Sequence, residues 1–121
     1  LNNHQKTILL VEDEALIALD LKRTLERMGH EVIGPFSSSG DAVSAANRKI
    51  VDLALLDVNL GDGDTSVPVA QTLAERSVPF AFLTGYVAGN SVLDSHFDGV
   101  ERIAKPCTPN DLSATVERLT A

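Results

Sequence analysis

The chain has 121 residues, 44% hydrophobic and 22% charged, with ten basic and seventeen acidic side chains for a net charge of -7. That length is a prior for one domain, the composition excludes a disordered chain, and the apolar runs are too short to span a bilayer. The acidic balance leaves no basic patch for phosphates, so direct nucleic-acid binding is not expected. The single cysteine, Cys107, and the lack of a signal-peptide pattern point to a reducing, cytoplasmic setting.

Residues 1–5 are expected to form a disordered tail. Thr7 to Val11 is short, β-branched and aliphatic, and reads as a buried strand. Ile17, Leu21, Leu25 and Met28 recur at helical spacing, and Gly29 supplies a left-handed stop. Glu31 to Gly34 is a second strand, ended by Gly34-Pro35. Ser38 with Asp41 resembles a capping box for a helix through Ala42, Val43, Ala45 and Ala46. Leu53 to Leu56 is a third strand ending at Asp57, followed by a Gly61-Asp62-Gly63-Asp64 loop. Val69, Ala70, Leu73 and Ala74 make a small helical face. Phe80 to Leu83 is a fourth strand, ended by Thr84-Gly85. Between Val87 and Gly99 only a short or mobile helix is expected. Val100 to Ala104 is the fifth strand, and Thr108-Pro109 caps a last helix through Leu112, Val116 and Leu119. Met28 and Phe97 read as core, and His4, His30 and His96 form no ligand motif.

Strict strand–helix alternation implies an open parallel sheet with helices on both faces and a working site beyond the carboxyl ends of the strands. Those ends carry Glu12-Asp13-Glu14, Asp57, Thr84 and Lys105-Pro106. Carboxylates brought together raise one another's pKa, and a hard divalent cation such as Mg2+ resolves that conflict. An aspartate beside a metal, a hydroxyl and a lysine is equipped to accept a phosphoryl group. Pro106 would help aim Lys105.

On these residues the chain resembles a receiver domain of a two-component response regulator over essentially its whole length. The ordered set of Asp13, Asp57, Thr84 and Lys105, at intervals of 44, 27 and 21 residues, carries the resemblance. It implies a flavodoxin-like, doubly wound five-stranded parallel sheet of order 2-1-3-4-5, formed by residues 1–121 as a single receiver domain. It implies that Asp57 takes phosphate from a sensor histidine kinase or histidine phosphotransferase. Asp13 and Asp57 would bind Mg2+ (Mn2+ substituting), Glu12 would help directly or through water, and the carbonyl of Asn59 would complete the protein ligands. Such a module is a switch rather than an enzyme. It acts on an output protein or domain not in this chain, with no membrane contact, as a monomer or weak homodimer.

Departures bear on the switch. Arg102 stands where many receivers carry Tyr or Phe, and Gly85 where many carry Ala or Ser. The Phe82-Leu83-Thr84-Gly85-Tyr86 run resembles a receiver subgroup with a Phe-Ala-Thr-Gly-type motif and no switch aromatic. Signalling is then expected to move the backbone between Thr84 and Gly99, and Tyr86 to cover the site. Gly61 replaces a common proline, so a looser loop is expected there. Asn59 and Tyr86 hold positions that tune dephosphorylation in the family. A phosphorylation-independent pseudo-receiver is the alternative reading. An aspartyl phosphatase is disfavoured because Asn59 cannot act as general acid, and a nucleotide or flavin binder because no glycine-rich phosphate loop follows the first strand.

Overall fold

The computed structural model describes residues 5–85, 97 and 99–121. In chain order it has β1 (Thr7–Val11), α1 (Ala15–Arg27), β2 (Glu31–Phe36), α2 (Ser39–Arg48), β3 (Leu53–Asp57), β4 (Asn59–Gly61), β5 (Asp64–Thr65), α3 (Val67–Glu75), β6 (Phe80–Thr84), β7 (Arg102–Ala104) and α4 (Pro109–Leu119). The main sheet is parallel, in the order β2-β1-β3-β6-β7, one of the doubly wound arrangements. This is the expected flavodoxin-like order, with β6 and β7 as its fourth and fifth strands. The helix expected within residues 87–99 and the N-terminal tail fall largely outside the described residues.

Alternating side chains divide the core between the sheet's two faces. Leu9, Val11, Ala54, Leu56 and Phe82 pack with Ala42, Ala45 and Ala46 of α2 and Val69, Ala70 and Leu73 of α3. Ile8, Leu10, Leu53, Leu55 and Leu83 pack with Leu21 and Leu25 of α1 and Leu112 and Val116 of α4. Phe97 joins the first cluster, its ring 5.9 Å from Phe80 and 5.6 Å from Phe82, and Met28 packs against the second. Ala74 is exposed, unlike the other three residues of its expected face.

Local signals account for most boundaries. Gly29 adopts φ 94° and its N–H donates to the Glu26 carbonyl, closing α1. Thr108 and Asp111 form a reciprocal capping box on α4. At α2 only half of that motif forms, with Ser38 Oγ accepting from Asp41 N at 3.4 Å.

Three expectations are corrected. The second strand does not end at Gly34-Pro35 but runs through it to Phe36, as a bulge opposite Leu10. Gly34 has φ +111°, and a Cβ there would lie 2.7 Å from the Leu10 carbonyl oxygen, so only glycine fits. Pro35 is tolerated because β2 is an edge strand. The stretch after Asp57 is not a plain loop either. Asp62 (φ 53°) and Gly63 (φ 78°) form a two-residue turn with both central φ values positive, joining β4 and β5 as an antiparallel hairpin. The fifth strand is also shorter than expected, covering only Arg102–Ala104. No described helix is long and apolar enough to cross a membrane.

Candidate functional site

The carboxyl ends of β1, β3, β6 and β7 lie side by side, and the polar residues of the site stand at these ends. Glu12 follows β1 and Asp57 ends β3, both buried. One carboxylate oxygen from each of Glu12, Asp13 and Asp57 lies within 4.8 Å of the others. Thr84, also buried, ends β6 one residue beyond the Asp57–Leu83 register pair. Lys105 follows β7. Its N–H donates to the Thr84 carbonyl at 2.7 Å, and its peptide bond to Pro106 is cis.

Lys105 Nζ donates to Glu12 Oε1 at 2.9 Å and pairs with Asp57 Oδ1 at 3.3 Å. The second Glu12 oxygen accepts from the Glu14 N–H at 3.1 Å. One ammonium therefore serves two carboxylates, and Asp13 adds a third to the same cluster. Burial, then hydrogen bonding and repulsion from Glu12, push the Asp57 carboxyl up to about 7, against the opposing pull of Lys105. For Lys105, burial works against the ammonium, but Glu12 and Asp57 overrule it and its pKa is raised. The cluster is short of positive charge, and the residue types present are those a hard, oxygen-seeking cation takes.

Asn59 opens β4 two residues after Asp57. Gly61, at its end, adopts φ +85°, and a Cβ there would lie 3.5 Å from Asp13 Oδ2. The backbone conformation favours glycine there, while a Cβ would make only an ordinary contact with Asp13. Gly85 differs. It is not in the left-handed region, and a Cβ there would meet only Lys105 Cε at 4.0 Å, so in this conformation the backbone does not demand glycine. Arg102 lies on β7 three residues before Lys105, partly buried. Tyr86 lies outside the described residues.

One feature was not anticipated from sequence. Asp64 turns its carboxylate to α2, where Ser39 N and Ser39 Oγ donate to its two oxygens at 2.8 and 2.6 Å. The Asp62-Gly63 pair is a hairpin signal that foretells the turn, but nothing in the sequence foretells its partner on α2. Cys107 is half-buried, as a small packing residue would be, and burial pushes its thiol up despite nearby Lys105, which makes it a poor nucleophile.

A doubly wound parallel sheet with an acid–lysine cleft at the carboxyl ends of its strands defines a class of signalling module. The chain belongs to the response regulator receiver domain family, whose profile matches residues 8–117. It is 34% identical over 113 residues to the phyllosphere-induced regulator PhyR of Methylorubrum extorquens, a match covering 92% of this chain and 42% of that protein. The chain thus spans less than half of that relative's length. The solution structure of SdrG from Sphingomonas melonis Fr1 matches with a TM-score of 0.81 at 34% identity, over 98% of this chain and 99% of that one. The receiver domain of the sensor histidine kinase PA1611 from Pseudomonas aeruginosa, solved with a magnesium ion coordinated in its active-site cleft, shares the fold. Its TM-score is 0.81 at 24% identity, with 96% and 98% of the two chains covered. Domains of this family act as signalling switches rather than as classical enzymes.

Proposed function

We propose that this domain is a phosphoacceptor switch in which Asp57 takes a phosphoryl group from a phosphohistidine donor in a Mg2+-dependent reaction, changing what the domain binds. The observation that carries this reading is Lys105 bridging buried Glu12 and Asp57 inside a three-carboxylate cluster. Glu12, Asp13, Asp57 and the Asn59 carbonyl are the residues that would hold the cation, and their unmet negative charge and oxygen donors fit it. When bound, the cation offsets charge on the transferring phosphoryl oxygens.

The chain's own groups do the rest. An ionised Asp57 oxygen attacks phosphorus, the phosphorus–nitrogen bond to the donor imidazole breaks, and the electron pair leaves on that nitrogen. Lys105 then exchanges its carboxylate partners for a phosphoryl oxygen, and the Thr84 hydroxyl donates to another. Thr84 ends β6 and Lys105 follows the neighbouring β7, and the Lys105 N–H to Thr84 carbonyl bond ties their backbones together, which supports their acting as a pair. A groove of about 470 Å³ beside the cleft, lined by Leu16, Ile17 and Leu21 of α1 together with Pro106, suits an apolar helix face presenting the histidine. Leu16 is 83% exposed there. The output partner binds elsewhere, and the residue 84–99 segment, mostly outside the described residues, carries the change. Asn59 and Tyr86 set how long the phosphoryl group lasts.

Intact-mass analysis after incubation with acetyl phosphate tests this. A gain of one phosphoryl group that needs Mg2+ and disappears in Asp57→Asn is expected. The second reading is a pseudo-receiver, favoured by Arg102 at the position of the usual aromatic switch. It gains support if no phosphoryl group is taken up and beryllofluoride with Mg2+ leaves the amide spectrum unchanged.

A further inference from the structure

The β4–β5 hairpin is too small to hold itself in place. Three residues pair with two across a tight turn, and even larger isolated hairpins are marginal in water. Yet this hairpin carries Asn59 and brings Gly61 against Asp13 Oδ2. One end is held by the chain, through β3 and the Ser66 N–H to Val58 carbonyl bond at 3.0 Å. The other is held by Asp64, whose two oxygens accept from Ser39 N at 2.8 Å and Ser39 Oγ at 2.6 Å at the start of α2. Both bonds are charge-assisted and directional, and they hold Asp64's carboxyl below its usual range. Asp64 is not itself part of the three-carboxylate cluster found among the described residues.

We infer that Ser39 and Asp64 are positioning residues for the cation, clamping the hairpin to α2 so that Asn59 and Gly61 keep their places beside Asp13 and Asp57. This rests on the phosphoacceptor reading above, since it assumes a cation in that cleft. The clamp acts through the backbone of β4 and touches neither metal nor phosphoryl group. Outer supports of metal ligands typically change affinity by tenfold or more when removed.

The decisive variant changes no charge. Ser39 is the first residue of α2, where proline is well tolerated, and Ser38 before it is extended (φ −133°, ψ 151°), as a residue preceding proline should be. Ser39→Pro therefore removes both donors while suiting the helix. Ser39→Ala removes one donor, and Ser39→Thr keeps both. Mg2+ chloride is titrated into each protein at constant ionic strength, followed by 15N amide shifts of Gly61 and Asn59. The clamp raises the Mg2+ Kd roughly tenfold in Ser39→Pro, about threefold in Ser39→Ala, and less than twofold in Ser39→Thr. Kd values within twofold of the parent for both the proline and alanine variants overturn the clamp while leaving the site reading intact. If the proline variant does not fold, the alanine variant decides on the same threshold. A parent chain that binds no Mg2+ overturns the site reading, and the clamp with it.

Discussion

Replacing Asp57 by asparagine should make the metal-free domain more stable, although it removes the central residue of the site. The cleft holds three carboxylates and one ammonium, and burial with repulsion from Glu12 pushes Asp57 up to about 7 from an ordinary value of 3.8. The folded chain thus binds this proton more tightly than the unfolded chain, and stability falls as pH rises between those two values. Above pH 7 the full penalty applies, with a ceiling of about 4 kcal/mol. Discounting that ceiling for solvent screening in a partly open cleft leaves roughly 2 kcal/mol. An asparagine amide is neutral at every pH and donates to Glu12 as a protonated carboxyl would. In EDTA at pH 8, thermal unfolding followed by circular dichroism should place Asp57→Asn about 6–10 °C above the parent. At pH 4 the two should nearly coincide. Mg2+ at 100 times its Kd should raise the parent by about 2.7 kcal/mol and the variant by much less. A variant no more stable than the parent at pH 8 without metal refutes the argument that the cleft is starved of positive charge.

Two further outcomes follow from the same structure. Lys105→Ala strands Glu12, whose side chain is fully buried, without its cation, and should cost about 3 kcal/mol in EDTA at pH 8. Saturating Mg2+ should shrink that deficit, and paired urea denaturation curves with and without metal measure both numbers. Gly34→Ala forces a Cβ to 2.7 Å from the Leu10 carbonyl oxygen at φ +111°, and should cost roughly 2–4 kcal/mol by the same assay. A loss below about 0.5 kcal/mol would mean that β2 can shed its bulge at little cost.

Much of the fold was legible because it is written in local chemistry. The aliphatic runs of β1, β3 and β6 are short and continuous, as strands buried on both faces must be, and the amphipathic stretches between them repeat at helical spacing. Alternation of the two, with the right-handed crossover rule, leaves few topologies, and the observed sheet order is the one the receiver resemblance implies. The strand ends named Glu12, Asp13, Asp57, Thr84 and Lys105 in advance, because in such a sheet polar groups placed there converge. Gly29 and the Thr108-Asp111 box worked as boundary signals because each acts within a few residues of itself.

What stayed hidden depends on partners distant in the chain. Gly34-Pro35 reads locally as a strand stop, yet pairing with β1 carries the strand through it as a bulge. Gly61 to Asp64 reads as a loose loop, yet Asp64 finds two donors on Ser39, 25 residues earlier, and the hairpin becomes fixed. Sharing of Lys105 between Glu12 and Asp57 spans 93 residues in the first case, and no spacing rule assigns its distances. The sequence by itself determined the strand–helix alternation and which side chains stand at the carboxyl ends of the strands, since these follow from periodicity and caps, and the sheet order came with the receiver resemblance that those strand-end residues carry. Only the tertiary structure decided how charge is balanced in the cleft and which backbone is held beside it. Coulomb terms and hydrogen bonds depend on ångström distances between groups that the folded chain alone brings together.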